Sequence, residues 1–319
     1  MEKERSEQEL LSVVAYLYYY ADLNQTEIAN RLFISRSTVS RLIKKARSSG
    51  VVELKINEPW QRNLVLEDGL KTALNISGAR VLSTDDGMSD DTALTHLSEM
   101  VSFYISTNAQ NNTVCGVSWG NTFSHIVNSI VTSRNIRFTV VPIMGSMTWP
   151  RVNPESTEFS YRFSKVYGAK YVPLDAPLYA GNDDEHSEFL SKTDVAAALD
   201  AARSADIVLT SVASLEDVAA EGMIDSDTIG RLRELGCVGR VGGHLYDIGG
   251  TEIDGSFKDR HIGLSMQELR KVDNVLCVAN RASKAEALYG AVKAGVVDTL
   301  FITDTLATAV LETAAKRRI

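Results

Sequence analysis

Arg36, Ser37, Thr38, Ser40, Arg41, Lys44 and Lys45 share one side of a helical repeat whose other side is Val39, Leu42, Ile43 and Ala46. Small hydroxyls and guanidinium groups near the start of such a helix can hydrogen-bond base edges in a major groove, while ammonium groups farther along meet phosphates. Gln25 and Thr26, opening the preceding repeat, complete this candidate DNA-contacting set. The plain alternative is the solvated basic face of an amphipathic helix.

A second group follows an apolar run, in Cys115-Gly116-Val117-Ser118-Trp119-Gly120-Asn121-Thr122. The pattern predicts a strand, a turn at Gly120 and a helix entered at Thr122. Amide groups at a helix start, with the Ser118, Asn121 and Thr122 side chains, suit a phosphate or carboxylate. The segment lacks the lysine of a Walker loop and the spacing of GxGxxG, and a capped structural turn also accounts for it. Met144-Gly145-Ser146 and Thr303-Asp304-Thr305 stand at further strand ends. A glycine-rich stretch over 239–247 adds Arg240 and Asp247. Arg240, Arg281 and Lys284 are candidate anion partners, weighed against ordinary surface charge.

Catalysis finds no comparable support. His96, His125, His186, His244 and His261 show neither HExxH spacing nor clustering, so no metal is expected. Ser118 is not in a recognisable nucleophile elbow. Asp85-Asp86 and Asp183-Asp184-Glu185 read as solvated loops rather than acid–base pairs. No catalytic residue and no cofactor is expected.

The elements that must position these groups are legible. Ser6 and Glu9 offer a capping box for a first helix through Leu10, Val13, Val14, Leu17 and Tyr18. Asn24 can cap a second over 25–32, with Ile28, Ala29 and Leu32 inward. Phe33-Ile34 turns the chain, and Ser35 can cap a third helix running to about Ser48. Gly50 ends it, before an extended segment over 51–56. Three short helices with a tight turn between the second and third predict a helix-turn-helix. Residues 57–75, with Pro59, Leu64, Leu66, Leu70 and Leu74, read as a connector with a short helix. Beyond it, apolar runs at 79–82, 113–117, 137–143, 171–174, 206–210, 274–279 and 299–302 alternate with helical repeats at 92–105, 122–131, 158–167, 195–202, 228–235 and 284–294. Such alternation predicts a mostly parallel α/β sheet covered by helices, with ligands beyond the carboxyl ends of its strands. The expected domains are an all-α helix-turn-helix over 1–56, the connector, and a larger α/β effector and oligomerisation domain over 76–319.

Composition narrows the function classes. The 319 residues are 44% hydrophobic and 23% charged, which excludes a disordered or collagen-like chain. No run nears the roughly 18–20 apolar residues that a membrane helix needs, and residues 1–5 lack a secretory signal's apolar core. Cys115, Cys237 and Cys277 are odd in number and widely spaced, which fits a reducing cytoplasm better than a disulfide framework. The net charge of −8 is uneven: residues 1–56 carry nine basic and seven acidic side chains, leaving 24 and 34 for the remainder. Within 31–55, seven basic groups face Glu53 alone. A basic patch on an acidic protein implies a small polyanion-binding module on a body that does not bind polyanions.

The segment AYLYYYADLNQTEIANRLFISRSTVSRLIKKARSSGVVELKI (residues 15–56) resembles the DNA-binding region of SorC-type bacterial regulators of carbohydrate operons. The likeness continues in GVSWGNT (116–122), SKAEAL (283–288) and TLFITDTLAT (299–308), in the family's order and over nearly the whole chain. The resemblance implies an effector domain related to sugar-phosphate isomerases and glucosamine-phosphate deaminases, binding a phosphorylated sugar within a homo-oligomer, dimer or tetramer. The family's ligand positions fall on Ser118, Gly120, Asn121, Thr122, Met144, Gly145, Arg240 and Lys284. With Trp119, Ser146 and Asp247 from the same segments, they form the expected effector site. Three departures stand out: Arg240 where many relatives carry an acid, Asn280-Arg281 in place of paired glycines, and Ser211-Val212-Ala213 in place of Gly-Ile-Gly. Arginine for an acid predicts a more anionic effector, and Met144, where some relatives have a lysine, argues against a Schiff base there.

The expectation is a cytoplasmic, sequence-specific regulator of a carbohydrate operon, acting as a repressor relieved by a small sugar or sugar phosphate. Its partners are double-stranded operator DNA and that effector, with no membrane and no enzymatic activity. Two alternatives remain: a sugar-phosphate isomerase- or deaminase-like enzyme carrying a DNA-binding head, and a module whose basic helix docks on an acidic protein.

Overall fold

In the computed structural model, residues 2–52, 60–85, 87–130, 137–147, 159–253 and 256–317 are described, the side chains of residues 2–7, 121 and 124 excepted. The chain forms two compact units, Met1–Pro59 and Trp60–Ile319.

The first unit holds α1 (Glu2–Ala15), a π-helical turn (Tyr16–Tyr20), α2 (Gln25–Leu32) and α3 (Arg36–Ser48). Leu11, Val14, Ile28, Val39, Ile43 and Ala46 bury together as its core. The Asn24 side chain accepts from the Thr26 and Glu27 amides, and the Glu27 carboxylate accepts from the Asn24 amide at 2.8 Å. This reciprocal box satisfies amides that a helix start otherwise leaves unpaired. Phe33, at φ 52°, ends α2 in the left-handed region, and Ser35 caps α3 through the Thr38 amide. The first helix begins at Glu2, so Ser6 lies inside it rather than capping it. Glu, Lys and Arg ahead of Ser6 favour helix and carry it upstream. Of the extended segment expected at 51–56, Val51 and Val52 form no strand, and 53–56 lie outside the described residues.

The second unit is built on a seven-stranded parallel sheet. Its strands are β1 (Gly78–Leu82), β2 (Val114–Val117), β3 (Thr139–Pro142), β4 (Lys170–Tyr171), β5 (Ile207–Thr210), β9 (Val275–Ala279) and β10 (Thr299–Thr303). They lie in the order β1-β10-β9-β5-β2-β3-β4. Six of them coincide with the expected apolar runs, whereas β4 shares only Tyr171 with the run expected at 171–174, because the chain leaves the sheet edge after two residues. Along β9, Val275, Cys277 and Ala279 join the core on one face of the sheet while Leu276 and Val278 join the other. A strand buried on both faces must read as a continuous apolar run, because alternation would put a polar side chain in one core.

One face is covered by α5 (Asp90–Asn108), α6 (Asn121–Ser129) and α7 (Phe159–Tyr167), through Leu97, Phe123, Phe163 and Tyr167. Next in the chain come α8 (Asp183–Ser191), α9 (Thr193–Arg203), α10 (Leu215–Ala220) and α11 (Ser226–Glu234). Short helices α12 (Ser256–Asp259) and α13 (Met266–Leu269) precede α14 (Ala285–Lys293) and α15 (Asp304–Lys316). The other face of the sheet is covered by α4 (Leu64–Leu74), α14 and α15, through Leu70, Leu288, Leu306 and Val310. The acids Asp183-Asp184-Glu185, expected in a loop, form the first turn of α8, where negative charge complements the helix dipole.

A smaller antiparallel sheet was not anticipated: β6 (Val212–Ser214), β7 (Cys237–Val241) and β8 (His244–Asp247). The glycine-rich stretch is its β7–β8 hairpin. Gly242 and Gly243 form the two-residue turn at φ 56° and 93°, values that a hairpin's primed turn requires and that side-chain-bearing residues resist.

The stretch expected as connector contains α4, which packs on β1 and α15. Glu67 there is 3% exposed, and its Oε1 accepts from Arg62 Nε at 2.8 Å and from the Val81 amide at 3.0 Å. Glu67→Ala strips the Val81 amide of its acceptor and breaks a buried ion pair, so unfolding stability should fall by about 3 kcal/mol. Denaturant titration of the full chain checks this, and an unchanged midpoint would detach α4 energetically from the sheet.

Candidate functional site

In the N-terminal unit, α3 exposes Arg36, Ser37, Arg41, Lys44 and Lys45, with Thr38 and Ser40 half-buried, opposite its inward face of Val39, Leu42, Ile43 and Ala46. The Ser37 and Thr38 hydroxyls each lie 2.8 Å from Ser35 Oγ. Hydroxyls thus gather at the start of the helix and ammonium groups toward its end. Gln25 is half-buried at the start of α2, and Thr26 is exposed with its amide held by Asn24.

In the second unit, segments beyond the carboxyl ends of β2, β3, β5 and β9 meet in one cleft. Ser118, Trp119, Gly120 and Thr122 follow β2, Met144 follows β3, Ser211 to Ala213 follow β5, and Arg281 and Lys284 follow β9. The hairpin supplies Arg240, Gly242 and Gly243, and α10 with the residue after it supplies Asp217 and Glu221. Gly120 stands at φ 144°, so the turn from β2 into α6 needs glycine there.

Ser118 is 1% exposed, and its hydroxyl has no hydrogen-bond partner among the described residues. Buried hydroxyls are normally paired, so this one is free to bond whatever enters. Trp119 Nε1 donates to the Gly145 carbonyl at 2.7 Å, and the Arg240 guanidinium lies 5.4 Å from the indole centroid. Arg240 Nη2 donates to Glu221 Oε1 at 2.8 Å. Its Nη1 also lies 2.8 Å from Glu221 Oε2, but off the hydrogen-bond direction, so these two buried atoms remain without a hydrogen bond.

Lys284 Nζ donates to the Val212 carbonyl at 3.0 Å and the Thr122 hydroxyl at 3.4 Å, and lies 3.7 Å from Asp217 Oδ2. Arg281 Nη2 donates to Asp217 Oδ1 at 2.7 Å. Burial holds the Lys284 ammonium below the ordinary lysine range, with Asp217 pulling the other way. Burial pushes the Asp217 carboxyl up, but Lys284, the Ser214 amide and Arg281 outweigh it and keep that group below the usual carboxylate range. The cleft is therefore lined by three cations that two internal carboxylates partly neutralise.

Ser118, Trp119, Gly120, Thr122, Met144, Arg240 and Lys284 of the expected effector site come together here. Asn121 opens α6, its side chain being outside the described residues. Gly145 and Ser146 do not line the cleft. Their amides donate to the Ile262 and Ala176 carbonyls, and a Cβ on Gly145 would fall 2.1 Å from the Pro177 carbonyl oxygen. Asp247 lies at the far end of the hairpin, opposite Cys237, where its side chain accepts from the Thr251 amide at 2.8 Å. Because the glycine-rich stretch is a hairpin rather than a loop, Arg240 and Asp247 end up at opposite ends of it. Asp304 accepts from the Thr84 amide and hydroxyl and does not line the cleft.

Asp217 and Glu221 were missed. The available signal was the Ser214-x-x-Asp217 capping box and the spacing of two acids by one helical turn. Among the described residues, no group of three or more His, Cys, Asp or Glu could hold a metal ion, and no helix is long and apolar enough to cross a membrane.

Residues 58–312 match the family described as a putative sugar-binding domain, and residues 12–49 match sigma-70 region 4. The deoxyribonucleoside regulator of Bacillus subtilis (strain 168) is 27% identical over 305 residues, 94% of this chain and 96% of that protein. The sorbitol operon regulator of Klebsiella pneumoniae is 25% identical over 290 residues, 88% of this chain and 91% of its own length. The crystal structure of the full-length sorbitol operon regulator SorC from Klebsiella pneumoniae shares the fold, with a TM-score of 0.70 at 22% identity over 96% of this chain and 99% of that one.

The lowered Lys284 value has a measurable consequence. Between it and the ordinary lysine value of about 10.4, the unfolded chain binds a proton that the native state does not. Native stability should therefore rise with pH across that window relative to a Lys284→Met variant, which lacks the titration. Unfolding free energies of both proteins at pH 7 and pH 10 check the sign, and a parallel pH response would contradict it.

Proposed function

The chain belongs to the SorC family of bacterial regulators through its sugar-binding domain, and from that premise we propose that it is a cytoplasmic, sequence-specific transcriptional repressor of a carbohydrate catabolic operon, released by a small sugar or sugar-phosphate effector. The observation that carries the effector half of this reading is the unpartnered, buried Ser118 hydroxyl in a cleft lined by Arg240, Arg281 and Lys284. A deoxyribonucleoside regulator and a sorbitol operon regulator among the relatives favour a carbohydrate ligand.

In this reading Arg36, Ser37, Thr38, Ser40 and Arg41 meet base edges, and Lys44 and Lys45 meet phosphates, with Gln25 and Thr26 at the backbone. Ser118, Trp119, Gly120, Asn121, Thr122, Met144, Arg240 and Lys284 take the effector, joined by Asp217 and Arg281, while Glu221 lines the cleft as the partner of Arg240. Gly145 acts indirectly, by holding Trp119 through its carbonyl. A homo-oligomer, a dimer or tetramer, places α3 of two protomers in successive major grooves about 34–36 Å apart. Effector binding then releases DNA by favouring an oligomer arrangement with another spacing. The relatives are regulators, and the cleft offers no free acid–base pair, since Asp217 is tied to Arg281 and Glu221 to Arg240.

With an operator selected from random duplexes, Arg36→Ala should lower the preference for operator over random DNA by ~1–3 kcal/mol. Lys44→Ala should instead weaken both alike and reduce the salt slope by about 0.9. Anisotropy titrations at several salt concentrations separate the two, and equal loss of specific and nonspecific binding in both variants would refute these roles. The effector half is checked by thermal unfolding of the full chain against neutral sugars and sugar phosphates. A ligand at ~100 times its Kd adds ~2.7 kcal/mol and should also release operator.

A further inference from the structure

The cleft's five charged groups are not held equally. Asp217 is anchored by the Ser214 amide in the α10 capping box, by Arg281 at 2.7 Å and by Lys284 at 3.7 Å. Glu221 is held differently. It lies one residue beyond the end of α10, and its carboxylate has one cation beside it, Arg240, through a single well-directed hydrogen bond. Gly222 follows at φ 70°, exposed, and a Cβ built there would meet nothing within 4 Å, so nothing packs against the turn beyond Glu221 on that side.

Arg240 is fixed by other means. Its backbone sits in the middle strand of the small sheet, between Ala213 and Leu245, and its guanidinium rests over Trp119. Arg240 is 6% exposed and lines the cleft, and none of these supports depends on Glu221. A buried guanidinium needs an anion beside it. A carboxylate or phosphate on a ligand offers that fork the same two oxygens as Glu221 does.

We propose that Glu221 is an internal stand-in for the acidic group of the effector, pairing with Arg240 until an oxyanion-bearing sugar takes its place. This rests on the reading that the cleft takes the sugar effector, and it narrows the effector's class. A neutral sugar that displaced Glu221 would leave Arg240 unpaired, whereas a sugar phosphate or sugar acid restores the pair. With Glu221 displaced, Arg240, Arg281 and Lys284 face Asp217 alone, a surplus of two positive charges that suits a phosphate monoester, which carries about −1.5 to −2 at pH 7.

The test uses the full chain with inorganic phosphate and, separately, acetate as probes, at constant ionic strength made up with chloride. Glu221→Gln should lower the midpoint of thermal unfolding, because Arg240 loses its counter-charge. Phosphate should restore it at a concentration roughly tenfold below that needed to stabilise the wild type. Glu221→Asp, which keeps the charge on a shorter arm, should fall between the two and guards against a folding defect in the amide variant. The double variant Glu221→Gln/Arg240→Gln should lose the phosphate response. Acetate acting as well as phosphate would show that a carboxylate suffices, extend the effector's class to sugar acids and still support the exchange. Equal phosphate response in wild type and Glu221→Gln, or a response retained in the double variant, would overturn it. Failure of every sugar to release operator would count against the repressor reading alone, since the phosphate titration does not involve DNA.

Discussion

The reversal of strand order between β2 and β5 is the constraint on which the cleft depends. From β2 the chain steps outward to β3 and β4, then returns to the other side of β2 as β5 and moves away through β9 and β10. In a parallel sheet all carboxyl ends point the same way, and at a reversal the connections on either side diverge and leave a crevice. Ser118–Thr122 and Ser211–Ala213 flank that crevice, and the turn after β9, one strand farther on, brings Arg281 and Lys284 to its edge. Residues more than 160 positions apart in the chain therefore meet, as Thr122 and Lys284 do at 3.4 Å. No local sequence preference could arrange this.

The small sheet and α10 close the crevice, and they change its electrostatics. A crevice lined only by Arg240, Arg281 and Lys284 would hold three like charges, two of them nearly inaccessible to water, since Arg240 is 6% and Lys284 5% exposed. Desolvation and mutual repulsion would both oppose folding. The carboxylates of Asp217 on α10 and of Glu221 just beyond it relieve this. One is bonded well, and the other leaves two buried atoms off the hydrogen-bond direction. Imperfect satisfaction concentrated at one place is what a binding site requires, because a fully satisfied cleft would have nothing to gain from a ligand.

Legibility followed the physics of each element. Six strands of the large sheet were evident because burial forces unbroken apolar runs, whereas the edge strand β4, only Lys170–Tyr171 and not buried, overlaps its expected run by one residue. The helix-turn-helix was evident because Asn24 and Ser35 are good caps and Val39, Leu42, Ile43 and Ala46 recur at helical spacing. The β7–β8 hairpin was hidden because three glycines in nine residues read as a ligand-binding loop, although Gly242-Gly243 is equally the signature of a primed hairpin turn. That misreading moved Asp247 into the expected site, and strand geometry moves it out, to the end of the hairpin opposite the Gly-Gly turn.

Glu221 and Asp217 show where sequence reading stops. Isolated acids in a short polar stretch look like solvated surface, and a six-residue helix carries too little periodicity to be distinguished from a turn. Arg240 taken alone argued for a more anionic effector. Beside Glu221 its charge is already matched, and a further surplus of positive charge appears only when that carboxylate is displaced. What remains is exchange of one anion for another. The selectivity of an exchange depends on how loosely the internal anion is held, which the sequence could express only through the bonds that Asp217 makes and Glu221 does not.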